Sequence, residues 1–304
     1  MCQFLSAIVT QTGGVLQNEY TDNHEDLILQ FNLDDSCREP VRWVRVEFKP
    51  GGDFFDADSY VLELDERTAP DWWDGRMEAA RRVLRGIVQK MIVNEKNDIL
   101  LGGAWMLGPN ANLWTAKCAR IIYMSGGTLD HMHGGTLDHM SGGTLNYMSG
   151  GILGDMHGGT LNHMSGGKLR DMHSGKLKDM HNGTLNHMYD GTLINMHDGI
   201  LGDMHGGKLN HMSGGTLRDM HSGGLINMHD GKLNHMYGGT LDHMHDGTLN
   251  YVYDGTLINM HGGILRDMYG GTLINMHGGT IINWHGGNIT KNTGGKIVND
   301  LRKK

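Results

Sequence analysis

The residues best equipped for chemistry in this chain are its histidines, and they recur with a fixed neighbourhood. Of the 20, all but His24 lie beyond residue 124, each directly beside a methionine or beside Trp284. In His131-Met132-His133 and His243-Met244-His245 the two imidazoles are two residues apart, so an extended backbone presents both on one face. Neutral imidazole binds Zn, Cu or Ni and a thioether suits Cu(I), which makes His131, His133, His243 and His245 candidate metal ligands. A solvent-facing column that accepts Ser, His or Tyr alike explains the same residues without a metal. A second chemistry is offered by Cys2. Loss of Met1 would leave a thiol and a free α-amine on one residue, and the amine can act as general base for the nucleophile. His24, Glu25 and Asp26 could orient such a centre, while a strand cysteine and an ordinary helix start account for the same residues. No cofactor is called for.

Positioning the histidines is the work of a repeat. From Met124 the chain reads MSGGTLDH, MHGGTLDH, MSGGTLNY and onward in register, without insertion or deletion, for 22 blocks of eight through Asn299. The fourth position is always Gly, beginning with Gly127 and Gly135. The sixth is Leu from Leu129 and Leu137 to Leu273, then Ile; the first is Met, as in Met132 and Met140, apart from Val252, Trp284 and Asn292. A fixed period of this kind means one structural unit stacked many times. Helix is excluded because each Gly costs about 1 kcal/mol relative to Ala, and one or two fall in every block. A flexible Gly-rich linker has no reason to keep Leu and Met at two fixed positions.

Leu and the following Met are three residues apart and would face opposite ways on one straight strand. The block must therefore bend. The expectation is two very short strands, centred on Met and on Leu, with corners at the Gly-Gly pair and at the variable dipeptide after Leu. The dipeptide sets the coil size. Asp155, Asp171, Asp203, Asp219 and Asp267 share one of two alternating phases against Asp179, and Tyr189, Tyr237, Tyr253 and Tyr269 share one phase, which favours sixteen residues per coil. Against this, His139, His163, His187, His211 and His235 recur every 24 residues, as a three-block coil would require. Stacked coils place histidines about 5 Å apart, and acid is expected to loosen them by mutual repulsion near their ordinary pKa of about 6.5.

The fold expected is an α+β N-terminal cap domain over residues 1–120, an all-β octapeptide-repeat solenoid (β-helix or β-roll) over 121–299, and a charged tail at 300–304. In the first part, strands are expected at 3–10, 41–48, 61–64, 99–106 and 119–124. A short helix through residues 24–29 would be capped by Asp22 or Asn23, and a longer one would open at Pro70 and Asp71. Toward the far end, Leu and Met give way to Ile281, Trp284 and Ile289, the signature of a terminal cap that protects an open β-stack.

The segments MCQFLSAIV, TDNHEDLI at Thr21 to Ile28, VRVEF at Val44 to Phe48 and LLGGAW resemble uncharacterised proteins of bacteriophages and prophages that carry short C-terminal repeats. What the resemblance implies is a phage or prophage setting, with no chemistry attached. A net charge of −8 without a basic surplus argues against nucleic acid, and no apolar run is long enough to span a bilayer. Three widely spaced cysteines, Cys2, Cys37 and Cys118, fit no zinc pattern and leave one thiol unpaired in any disulfide scheme, so a reducing setting such as the cytoplasm of a bacterial host is expected. The preferred reading is a non-enzymatic structural or binding protein whose partner is a protein, with self-association along the solenoid a further option. The alternatives are a Cys2 enzyme that uses the solenoid for docking, and a metal-binding His/Met surface.

Overall fold

The computed structural model describes residues 5–18, 23–34 and 41–302, apart from the side chains of 97 and 98. The chain divides into two compact units, Met1–Val93 with Gly103–Gly108, and Asn94–Gly102 with Pro109–Lys304.

In the first unit, β1 (Leu5–Thr10), β2 (Val15–Leu16), β3 (Trp43–Pro50) and β4 (Tyr60–Leu64) form an antiparallel sheet in the order β2-β1-β3-β4. Helix α1 (His24–Gln30) starts where the sequence predicts, and Asn23 is its cap, accepting from the Glu25 N–H. Leu27 and Ile28 pack on Ile8 to make the local core. Helix α2 (Asp74–Met91) begins with Trp73 at its N-cap and buries Ala80, Leu84, Val88 and Met91, a stripe at helical spacing.

The second unit is a β-solenoid with sixteen residues per coil. Each block contributes one strand, such as Thr128–Met132, and every strand pairs in parallel with the strand sixteen residues away. Alternate blocks therefore build two separate parallel sheets. One runs from Lys96–Leu101 through Asn112–Lys117 to Asn288–Asn292, and the other contains Arg120–Met124 and the intervening blocks through Lys296–Asp300.

The bend inferred after Leu is present, but within a single five-residue strand and not between two. The paired residues are block positions five, six, eight and one, as in Thr128, Leu129, His131 and Met132, and the seventh drops out of the register. That break resets the alternation of side chains. Leu129, Met132, Leu137 and Met140 are accordingly all buried, as are their counterparts through Ile281 and Trp284, while Ile289, Asn292 and Ile297 at the end of the array are half-buried or exposed.

The other corner requires glycine. Every fourth-position Gly from Gly127 to Gly287 has a positive φ between 72° and 94°, a region that side-chain-bearing residues rarely enter. Space forbids a side chain as well. A Cβ on Gly159 would lie 2.7 Å from the Gly143 carbonyl oxygen and 2.8 Å from the Met140 Cε. The methionine methyl thus fills the volume that the missing Cβ leaves one coil on, and the same Met–Gly contact recurs at Gly167, Gly175 and Gly183. A long, unbranched thioether suits that reach. Toward the end of the array, Trp284 is buried and the Arg302 guanidinium lies 3.1 Å from its ring centroid, held there by Asp300.

Candidate functional site

Because Leu and Met point inward, the residues beside Met at block positions eight and two point outward. Each recurs every sixteen residues in a column with a spacing set by the sheet, so four such columns run along the unit, two on each sheet. Ser, Thr, Asn, Asp, His and Tyr all occupy these sites, and the frame beneath them does not change.

On one sheet, position two carries a ring at every coil from His157 to His285, with Tyr at 189, 237, 253 and 269 and His elsewhere. Consecutive centroids are 4.5 to 5.4 Å apart, and consecutive planes lie within 10° of parallel. Faces are spent on neighbouring rings, so the edges, with their phenol hydroxyls and imidazole nitrogens, meet the solvent. The four tyrosines are each more than 40% exposed. Burial by the stack, with the Asp267 carboxylate next in importance, pushes the Tyr269 phenol up from its ordinary value.

The adjoining position-eight column on this sheet runs His139, Asp155, Asp171, His187, Asp203, Asp219, His235, with two carboxylates between successive imidazoles. His187 Nδ1 lies 2.6 Å from Asp171 Oδ1, His235 Nδ1 lies 2.6 Å from Asp219 Oδ1, and His139 Nδ1 lies 3.2 Å from Asp155 Oδ2. Such half-exposed pairs contribute little to stability, on the order of 0 to 1 kcal/mol each. Their interest is chemical: the donor atoms of His139, Asp155 and His157 all lie within 4.8 Å of one another.

On the other sheet, His131 sits between Trp114 and Tyr147 at centroid distances of 4.9 and 5.0 Å, with His133 at 5.6 Å. His243 and His245 are 6.0 Å apart. Both triplets place their imidazoles on one face, as the spacing predicts, but they are joined by ring stacking, and no carboxylate completes a three-donor group with either pair among the described residues. Desolvation within its stack, reinforced by His229, His261 and His243, holds the His245 imidazole below its ordinary value. The signal for the His139 group was present in the sequence as His, fifteen residues, then Asp-Met-His. It becomes visible once the coil is known to be sixteen residues.

The N-terminal candidates fare differently. Cys2 lies outside the described residues. His24 is buried, its Nε2 lies 2.9 Å from the Val46 carbonyl oxygen and its Nδ1 3.4 Å from Asp65, so it ties α1 to the sheet. A cleft of about 270 Å³ in the same unit is lined by Tyr60, Arg81, Arg82 and Arg85. Two of its guanidiniums are committed, Arg81 to Glu78 at 3.1 Å and Arg85 to Asp58 at 2.9 Å. Among the described residues no helix is long and apolar enough to cross a membrane. Comparison with models of protein families, with curated proteins and with solved structures finds no match to this chain.

Proposed function

We propose that this protein is a non-enzymatic binding scaffold, a nearly constant Leu/Met/Gly frame that displays exchangeable outward columns to a protein partner. The observation that carries this reading is the uninterrupted ring stack from His157 to His285. Tyrosine offers a large, rigid, amphipathic contact at low entropic cost, and Tyr237, Tyr253 and Tyr269 on successive coils, with Tyr189 three coils away in the same column, form a surface that a partner can engage at several points together. The proposal includes a phage-associated setting, on the strength of the N-terminal resemblance, or a bacterial cytoplasm, on the strength of the odd number of cysteines. It gives Cys2 no role.

The test replaces Tyr189, Tyr237 and Tyr253 with Ser in the full-length chain. Serine already occupies the same block position at Ser141 and Ser149, so the frame is expected to tolerate it. Proteins crosslinked to the wild-type chain in extract of its native host should be lost from a variant with an unchanged melting curve. An identical crosslinking pattern with both chains refutes the assignment of the stack as the binding face.

A further inference from the structure

Stacking two blocks per coil has a consequence for the 24-residue recurrence of histidines. Three blocks make one and a half coils, so successive members of that series fall on alternate sheets. His139 pairs with Asp155, His163 with Asp179 and His187 with Asp203, each across one coil step. In all three the aspartate is followed by Met and then His: His157, His181 and His205. The same His, Asp-x-His order thus recurs three times, on alternating sheets, and among the described residues the first copy alone has all three donors within 4.8 Å of one another.

We infer that His139, Asp155 and His157 form a binding site for a divalent transition cation, and that His163, Asp179, His181 and His187, Asp203, His205 repeat it. Two neutral imidazoles and one carboxylate are a ligand set for Zn²⁺, Co²⁺ or Ni²⁺, with the remaining positions left to water. Bonds of about 2.0 to 2.2 Å in tetrahedral geometry separate neighbouring ligand atoms by about 3.4 Å. The His139 Nδ1 to Asp155 Oδ2 distance is 3.2 Å, and the third donor lies within 4.8 Å of both, a gap that small side-chain rotations close. In the second copy His163 Nδ1 lies 3.2 Å from Asp179 Oδ2, and in the third His187 Nε2 lies 3.8 Å from Asp203 Oδ2; neither has all three donors within 4.8 Å of one another, so these copies need a larger side-chain rotation than the first.

Ring stacking does not compete with this use. His157 gives its face to His173 at 4.6 Å, whereas a metal takes the lone pair in the ring plane. In the third copy the carboxylate of Asp171, 2.6 Å from His187 Nδ1, holds the ring with Nε2 toward Asp203. A carboxylate behind a ligating histidine is the usual way to fix its orientation. Continuing the series provides one natural control. His211 faces Asn227, which is followed by Met228 and His229, so the carboxylate alone is missing. His235 faces Tyr251 and takes its carboxylate, Asp219 at 2.6 Å, from the preceding coil instead, so it is not a second control.

The experiment titrates the metal-free full-length chain with Co²⁺ at a pH above the imidazole range, reading visible d–d absorption for ligand geometry and calorimetry for the number of equivalents. Three equivalents are expected for the wild type, two for Asp155→Asn and four for Asn227→Asp. Both substitutions exchange residues that share block position eight elsewhere in the array, and circular dichroism verifies that each variant keeps the wild-type fold. Equivalents that do not change in Asp155→Asn and Asn227→Asp, or heat that never saturates as for scattered surface histidines, overturn the inference. Loss in the first variant without gain in the second overturns the rule of recurrence.

Discussion

Replacing Gly159 with Ala tests the corner on which the coil depends, and Gly224→Ala is its control. At Gly159 the backbone φ is +79°, where an L side chain costs roughly 1 to 2 kcal/mol. The new Cβ also meets the Gly143 carbonyl oxygen and the Met140 Cε at 2.7 and 2.8 Å. The methyl can swing away. The carbonyl cannot, because it accepts the Thr160 N–H at 2.9 Å in the inter-coil ladder. Overpacking of this kind adds about 1 to 3 kcal/mol, for a combined loss of about 2 to 5 kcal/mol. Gly224 stands at the fifth block position, where Thr is common, and a Cβ there meets nothing within 4 Å. Its replacement by Ala should lie within about 0.5 kcal/mol of the wild type or stabilise by up to about 1 kcal/mol. A linear array does not unfold in one step, so local hydrogen exchange is the proper readout. Amides of Thr160–Met164 and of the paired Thr144–Met148 should exchange at least about 30-fold faster in Gly159→Ala, while the equivalent strands in Gly224→Ala stay protected. Equal protection in the two variants refutes the argument that conformation and space both reserve the fourth position for glycine.

Two further outcomes follow from the interior and from the histidine columns. Leu201→Ala removes a fully buried side chain and should lower local stability by about 2 to 5 kcal/mol, seen as faster exchange in the strands Leu185 and Leu217 belong to; unchanged exchange there would mean that neighbouring coils do not share a core. The imidazole of His245 is held low in the folded chain by desolvation and by His229, His261 and His243. A base with a depressed folded value binds fewer protons than its unfolded counterpart, so its contribution is intact above the unfolded pKa of about 6.5 and is lost as pH falls below it. The melting temperature should therefore drop between about pH 8 and pH 5, less so in His245→Ser, and a melt that ignores this range rejects the repulsion argument.

The interior was legible because Leu and Met at three-residue separation admit few ways to be buried together. The sequence located the bend after Leu but divided the block into two strands, since period-two alternation has no means of showing that a ladder can skip one residue and resume. The start of the solenoid was harder to see. Leu113 pairs with Leu129 and Ala116 with Met132, so the interior register is already running before the first full octapeptide. What is missing there is glycine: Ala111 and Ala119 stand sixteen residues before the later corners at Gly127 and Gly135, and beside Ala119 the left-handed conformation moves to Cys118 at φ +53°. The predicted strand at 99–106 is divided by Gly102 and Gly103, both at positive φ, into Lys96–Leu101 and Ala104–Leu107.

The two competing periods in the sequence describe different things, and the structure separates them. Backbone pairing follows sixteen residues, which is why Tyr189, Tyr237, Tyr253 and Tyr269 stack within one column. The 24-residue series from His139 to His235 cannot be a coil, because its members alternate between sheets. A packing constraint would have to act on residues that touch, and these do not. The series must therefore record something other than contact between its own members: either the duplication of a 24-residue unit, or the repeated need for a local group made with the next coil. Those origins predict different things at Asn227, where duplication alone is indifferent to the lost carboxylate and a ligand set is not.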